Sequence, residues 1–414
     1  MTRSAPENRD GLDLFPRAHR HAVLRVADPR SAEGGVARPA ALIFMSAALL
    51  LSPLHAQTNA SDSAASFQGQ GACSSSGCHG GAGEKHNQSI RFSKLDFHTR
   101  SYATLTLARS ARIADHLKIG DPTQSARCTV CHAPFQTITT AALSKVLDPA
   151  AGVSCENCHG PAEKWLLSHT RPDWTHQDRV HAGMRDLDNL YTRANSCVAC
   201  HQNVAADLLS AGHPELIFEL DGQAVTEPKH WREKPNWSAP QTWLVGQAVA
   251  LREMSWQLAR ETALTPNAID RWSALLWLLQ TTAKFNDTLP ANAALTTEPS
   301  ADNAAHAQTW SDQFARQAAV APWSDAATRK CLNLLAGTAA EFRTASPSRA
   351  AQARRAERLV LALDRLVNGL NDDTTAKRLD APLAQLFKDS QSLPDFDPPS
   401  FATDLDAFQK ALAR

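Results

Sequence analysis

Charge of one sign is missing from this sequence: 42 Lys and Arg stand against 42 Asp and Glu, a formal net charge of zero over 414 residues. That balance excludes the basic footprint of a nucleic-acid binder and the field of an acidic-substrate funnel. A long apolar run is also missing. The most apolar stretch, Ala40 to Leu51, is too short to span a bilayer as a stable helix. There is no nucleophile motif, no paired-acid motif and no glycine-rich nucleotide loop. Methionine is scarce: past residue 56 only Met184 and Met254 remain. Cysteine outside short clusters is nearly absent as well. Of nine cysteines, only Cys331 stands apart, which leaves no material for a disulfide framework.

The other eight cysteines fall in four strings, each followed directly by histidine. They are Cys73-Ser-Ser-Ser-Gly-Cys78-His79, Cys128-Thr-Val-Cys131-His132, Cys155-Glu-Asn-Cys158-His159 and Cys197-Val-Ala-Cys200-His201. Three read C-x-x-C-H, the pattern of covalent c-type haem attachment, and the first is a looser C-x4-C-H. Two thiols bond the two vinyl groups of one porphyrin, and the adjoining histidine reaches under the ring to the iron. With these residue frequencies roughly 0.01 such C-x-x-C-H strings would arise by chance. Zinc binding or dithiol redox chemistry would use the cysteine pairs but not the histidine that follows every one. A simple disulfide between Cys73 and Cys78 is the competing reading of the looser string. His79, directly after Cys78, favours haem. Four haem c groups per chain are expected, with His79, His132, His159 and His201 as proximal ligands.

The opposite face of each iron needs a second ligand, and the scarcity of methionine points to histidine. Bis-histidine ligation lowers reduction potential relative to Met/His haems. The distal candidates are His98, in a segment read as helical over 96–108, His169, just after the third string, and His213, just after the fourth. His116, His181 and His230 rank behind them, and His86 and His176 last, because a lone histidine is more often a surface or satisfied residue than a ligand.

The apolar run at 40–51, followed by Ser52-Pro-Leu-His-Ala56, fits a signal-peptide core cleaved after Ala56. An uncleaved anchor is the alternative. No Arg-Arg pair precedes the core, so the chain is expected to cross unfolded, which suits haem attachment outside the cytoplasm. The long charged region ahead of the core suggests true initiation near Val36. Residues 1–56 are thus read as leader and signal peptide, 57–72 as a flexible linker, 73–238 as a tetrahaem cytochrome c domain and 239–414 as an α-helical domain. The mature chain is expected to be periplasmic or otherwise exported, with no membrane span.

From 239 onward alanine rises and helical periodicity sets in. Leu244, Ala248, Leu251, Met254 and Leu258 share one face. Thr265-Pro266 opens a second helix carrying Ile269, Trp272, Leu276 and Leu279. Trp310 with Phe314 marks a third, and Ser324 opens a fourth holding Cys331, Leu335 and Phe342. Ser346-Pro347 opens a fifth with Ala356, Leu359, Leu363, Leu366 and Leu370, and Gly369 near its end. Phe401, Leu405, Phe408 and Leu412 close the chain. The fold class is therefore mainly α: a multihaem module of short helices and long loops, then a helical bundle. Cys331 sits on an apolar face and reads as core.

The stretch Gly152-Val-Ser-Cys155-Glu-Asn-Cys158-His159-Gly160-Pro161, the order of the four strings, His98 in His-Thr-Arg-Ser-Tyr and His169 resemble the tetrahaem cytochrome c-554 family. That family is typified by the electron acceptor of hydroxylamine oxidoreductase. Gly212-His213-Pro214 through Leu220, with Pro228-Lys-His230-Trp231, is similar to the C-terminal haem segment of related multihaem cytochromes. The resemblance covers 73–238. It implies electron transfer, His98, His169 and His213 as distal ligands, and an open, five-coordinate iron at the Cys128/Cys131 string. Two features depart from the family: the two extra residues in the first string, and the appended helical region. The leading function is an electron carrier with unidentified redox protein partners. The alternative is a haem enzyme acting on a small nitrogen or sulfur oxide at an open second iron.

Overall fold

The structure is a computed structural model and describes residues 65–261, 265–291 and 294–414. The expected leader over 1–56, its cleavage point, the start near Val36 and residues 57–64 of the expected linker lie outside the described residues. Among the described residues the fold is helical throughout, with sixteen α-helices. The one extended pairing is an isolated bridge between Phe67 and Leu143. No helix among them is long and apolar enough to cross a membrane.

The fold is mainly α, as the periodicity implied, and helix length changes along the chain. Before residue 190 the helices are short and separated by turns. The second string forms α1 (Ala126–His132), the third α2 (Cys155–His159) and the fourth the end of α3 (Leu190–His201). Long helices follow: α4 (Ala239–Leu258), α5 (Pro266–Thr282), α6 (Ala301–Val320), α7 (Asp325–Ala336), α8 (Arg349–Asn368), α9 (Asp373–Asp389) and α10 (Pro398–Leu412). Their starts are set by side-chain caps. Ser238, Thr265, Ser300, Ser324, Ser348 and Asp372 each accept a backbone N–H from the first turn.

Helix α4 is central. It lies along α6 and also packs on α3, α5, α8 and the short helix Leu220–Thr226. It carries no amphipathic contrast, because its neighbours cover nearly its whole circumference, from Trp243 to Leu251. Gly246 permits one of these approaches: a β-carbon there would lie 2.7 Å from the Leu220 β-carbon. Leu359, Leu363 and Leu366 of α8 are fully buried in the same core. Truncating any one to alanine costs roughly 2–5 kcal/mol.

That core reaches into the string-bearing half. Leu190, Ala194 and Val198 of α3, with Phe218 and Leu220, belong to it, and among the described residues none before Leu190 does. A chain of buried charges joins the segment after the fourth string to the long helices. Arg271 pairs with Glu215 at 2.9 Å and donates to the Leu216 carbonyl. Arg358 pairs with Glu219 at 3.3 Å and Arg365 with Asp221 at 2.7 Å.

Three expectations change in detail. The helix expected over 96–108 is a 3-10 turn, Phe97–Arg100, and a five-residue helix, Ser101–Leu105, with a new helix starting only at Ala108. Asp96 caps the turn, and Thr106 and Thr104 bond backbone carbonyls instead of continuing the ladder. The fourth long helix stops at Gly337, so Phe342 sits in a separate turn, Ala339–Arg343. The fifth begins at Arg349 behind Ser348, two residues past Ser346-Pro347.

Candidate functional site

In α1, α2 and α3 the helical bond from each string histidine's N–H reaches back four residues, to the first cysteine of its string. The first string has two residues too many for a helical turn, yet the closure is kept. His79 N–H donates to the Cys73 carbonyl at 3.2 Å while Ser74–Gly77 loop outward, held by Cys78 N–H to Ser75 O at 3.0 Å and Gly80 N–H to Ser75 O at 2.9 Å. The loop passes so close that a β-carbon on Gly80 would collide with the Ser74 carbonyl. Cys73, Cys78 and His79 thereby adopt the backbone relation that a C-x-x-C-H turn supplies. No two of the nine cysteines are joined in a disulfide.

Three of the four string histidines lie against a second imidazole from elsewhere in the chain. His79 lies 6.0 Å from His169 between ring centroids, His201 lies 5.9 Å from His98, and His159 lies 6.3 Å from His230. The interplanar angles are 23°, 82° and 66° in that order. His213 is near enough to His132 for its charge to help depress the His132 pKa, behind the larger effect of burial. The Arg127–Asp207 pair, at 2.5 Å, ties α1 to the helix Ala206–Ser210, just ahead of His213.

Ring orientation is set by Nδ1. His79 Nδ1 bonds the Gln88 side-chain oxygen at 3.1 Å, and His132 Nδ1 donates to the Ser101 carbonyl at 3.2 Å. His169 donates to Leu166 O and His213 to Pro214 O, both at 2.8 Å. His98 donates to the carboxylate of Asp96 at 2.9 Å. Each of these rings keeps Nε2 for a metal. Burial holds His159 down at about 4, with the His230 and His79 charges adding to it, and burial also lowers His132, His201 and His230. These rings are neutral at pH 7, the form that ligates. His98 is raised instead, first by its hydrogen bond to Asp96. Burial pushes Asp96 upward, but the ring and backbone hydrogen bonds of His98 outweigh it and hold the carboxyl below its usual range.

Side chains around the pairs hold the partners in place. Arg193 of α3 grips Glu233 through both carboxylate oxygens at 3.0–3.1 Å, and Trp231 Nε1 donates to the same group at 2.7 Å. That fixes the loop that presents His230. Arg179 donates to the His169 carbonyl at 3.0 Å. Glu156, inside the third string, is fully buried and accepts the N–H groups of Gln68, Gly69 and Ala162 at 2.9, 2.6 and 2.7 Å. It pins the approach to Cys73 onto α2.

The strings also lie against one another. Cys155 and Cys73 share a hydrogen bond that lowers the Cys73 thiol and raises that of Cys155. Cys200 and Cys131 do the same, lowering Cys131 and raising Cys200. Cys158 lies close enough to Cys197 and Cys200 for its charge to raise both thiols. Burial pushes Cys158 up to about 11 and Cys197 up to about 12. The spatial order of the strings is therefore first, third, fourth, second.

These residues fit haem. Metal–imidazole bonds of about 2 Å on both sides of one ion, plus about 1 Å from each nitrogen to its ring centre, separate two ring centroids by about 6 Å, the spacing of the three pairs. Exposed apolar side chains stand beside these histidines and strings in sequence, with Phe97 79% exposed, Leu167 83% and Val130 51%, surface that a bound macrocycle could cover. Among the described residues, the groups compact enough to hold a bare ion are Asp96, His98 and Glu227, and His176, Asp186 and Asp188; neither includes a cysteine. His98 and His169 are brought to string histidines, and His213 comes near enough to His132 to act on it by charge. His230, ranked behind them from sequence, is brought to His159. His116, His181, His86 and His176 have no string histidine among their ring partners in the described set.

Residues 72–160 match the family model described as cytochrome c554 and c-prime. The match takes in the first three strings, from Cys73 to His159, and makes this segment similar to c-type cytochromes, which bind haem c covalently and transfer electrons. Searches of curated proteins and of solved structures found no match.

Proposed function

We propose that this chain is an exported, periplasmic or extracytoplasmic tetrahaem c-type cytochrome that carries electrons, with two histidines at every iron. When bound, haem c supplies one-electron exchange at iron within a potential range that axial ligands and burial adjust. The chain's own residues hold and orient. Eight cysteines anchor, and His79, His132, His159 and His201 ligate from the strings. His169, His213, His230 and His98 ligate from the far side, in that order. The observation that carries the reading is the set of cross-chain imidazole pairs at about 6 Å, each uniting one string histidine with one distant in sequence.

Contacts between Cys73 and Cys155, Cys158 and Cys197, and Cys131 and Cys200 support a continuous path through strings one, three, four and two. Residues 73–238 act as the electron-carrying module. The helices of 239–414 act as a structural cap, supported by the core that α4 shares with α3. A catalytic reading needs an open iron, and His213 beside His132 argues against one at the second string. The test is a haem count by pyridine haemochrome with optical and EPR spectra. Four haems per chain, all low-spin and unresponsive to CO, are expected. Fewer haems, or a high-spin ferric signal that shifts with CO or NO, would overturn the reading.

A further inference from the structure

We propose that Asp96 tunes the fourth haem: by holding the Nδ1 proton of His98, it makes the iron shared by His98 and His201 the lowest in reduction potential of the four. This rests on the ligation proposed above and goes beyond it by setting one site apart from the other three.

The Asp96 side chain is 2% exposed, and its Oδ1 accepts both the ring Nδ1–H and the backbone N–H of His98 at 2.9 Å. The Nδ1 partners of the other oriented ligands are uncharged oxygens: the Gln88 amide for His79 and the Ser101, Leu166 and Pro214 carbonyls for His132, His169 and His213. A carboxylate draws the N–H bond further than a carbonyl does, most of all away from water. The imidazole gains anionic character and donates more strongly from Nε2, which favours ferric over ferrous iron. The negative charge acts in the same direction, because adding an electron near a buried anion is unfavourable. The charge of Asp96 also reaches Cys158 and His230 of the third site, and its carboxyl shares a hydrogen bond with Glu227, but the one candidate ligand it hydrogen-bonds among the described residues is His98. In the spatial order one, three, four, two, this places the lowest potential inside the path, between the first–third pair and the second site.

Asp96→Asn keeps an oxygen to accept from His98 and to cap the turn, and removes the charge. In spectroelectrochemical titration of the matured full chain, the wave at lowest potential should move upward the most, the third site should follow by less through the charge that reaches Cys158 and His230, and the first and second should stay. Four unmoved waves, or four moving together, would overturn the proposal. Should the variant fail to load haem, the wild type decides. The most anisotropic ferric EPR signal, from the pair crossed at 82°, must then be the last to disappear on reduction, and its loss ahead of the others rules the idea out. A wrong ligation reading is visible separately, as fewer than four haems or a high-spin iron in the wild type before any titration begins.

Discussion

The carboxylate of Glu156 accepts the backbone N–H of Gly69 at 2.6 Å, so a residue inside the third string holds the chain just ahead of the first. Glu156→Ala leaves the N–H groups of Gln68, Gly69 and Ala162 buried without that partner, at roughly 1–3 kcal/mol for each group left unsatisfied. The variant should mature with a lower thermal midpoint, and occupancy at Cys73 and Cys78 should fall first. Mass spectrometry of haem-bearing peptides measures this. Equal loss at all strings would show that the contact is not local to the first.

Replacing a distal histidine should open one iron and leave three closed. His169→Ala, His98→Ala, His230→Ala and His213→Ala are each expected to add one high-spin ferric centre that binds CO. His116→Ala and His181→Ala should leave the spectra unchanged. His230 is the most informative, because its pairing with His159 comes from the fold alone.

Ring angles predict the EPR line shapes. Nearly parallel imidazoles, 23° at His79 and His169, split the iron d-orbitals and should give a rhombic low-spin signal. Crossed rings, 82° at His98 and His201, leave those orbitals near-degenerate and should give a highly anisotropic one. A ferric spectrum of a single rhombic type would contradict this geometry.

The widened first string depends on Gly80. Gly80→Ala drives a methyl group into the Ser74 carbonyl, so the loop must reopen and His79 loses its closure onto Cys73. Three haems per chain are expected, with the first missing. A full complement of four would mean that the loop tolerates the change.

Burial and the neighbouring Asp221 push Glu219 up to about 7, against the opposing pull of Arg358 and Arg365. A carboxyl raised in the fold binds its proton more tightly there than in the unfolded chain. Its contribution is therefore favourable below about 4.5 and is lost as pH rises through about 7. The stability of wild type minus that of Glu219→Gln should fall by on the order of a few kcal/mol between pH 5 and pH 8. Denaturation midpoints of both proteins at the two pH values measure it, and a constant difference would remove the effect.

Helix positions were readable where local rules act alone. Thr265 and Ser324 cap the helices they were expected to open, and the Leu359, Leu363 and Leu366 face is buried. Helix α9 went unseen because Pro382 interrupts a pattern carried by only Leu379, Leu383 and Leu386. The helix expected at 96–108 failed because side-chain bonds at Asp96, Thr104 and Thr106 compete with the ladder. Nothing local to His230 says which string histidine it meets. What brings it to His159 is Arg193 on α3 gripping Glu233, a contact between segments far apart in sequence.

On the proposed reading, covalent attachment and proximal ligation follow from the sequence alone, because two sulfurs and a nitrogen must meet one macrocycle within a single turn, and adjacency guarantees that. Which imidazole stands opposite each string histidine, the order in which the strings lie, and the anion behind His98 are decided by tertiary structure. Each joins groups that the chain brings together only after Glu156, Arg193 and the α3–α4 core have set the relative places of the segments.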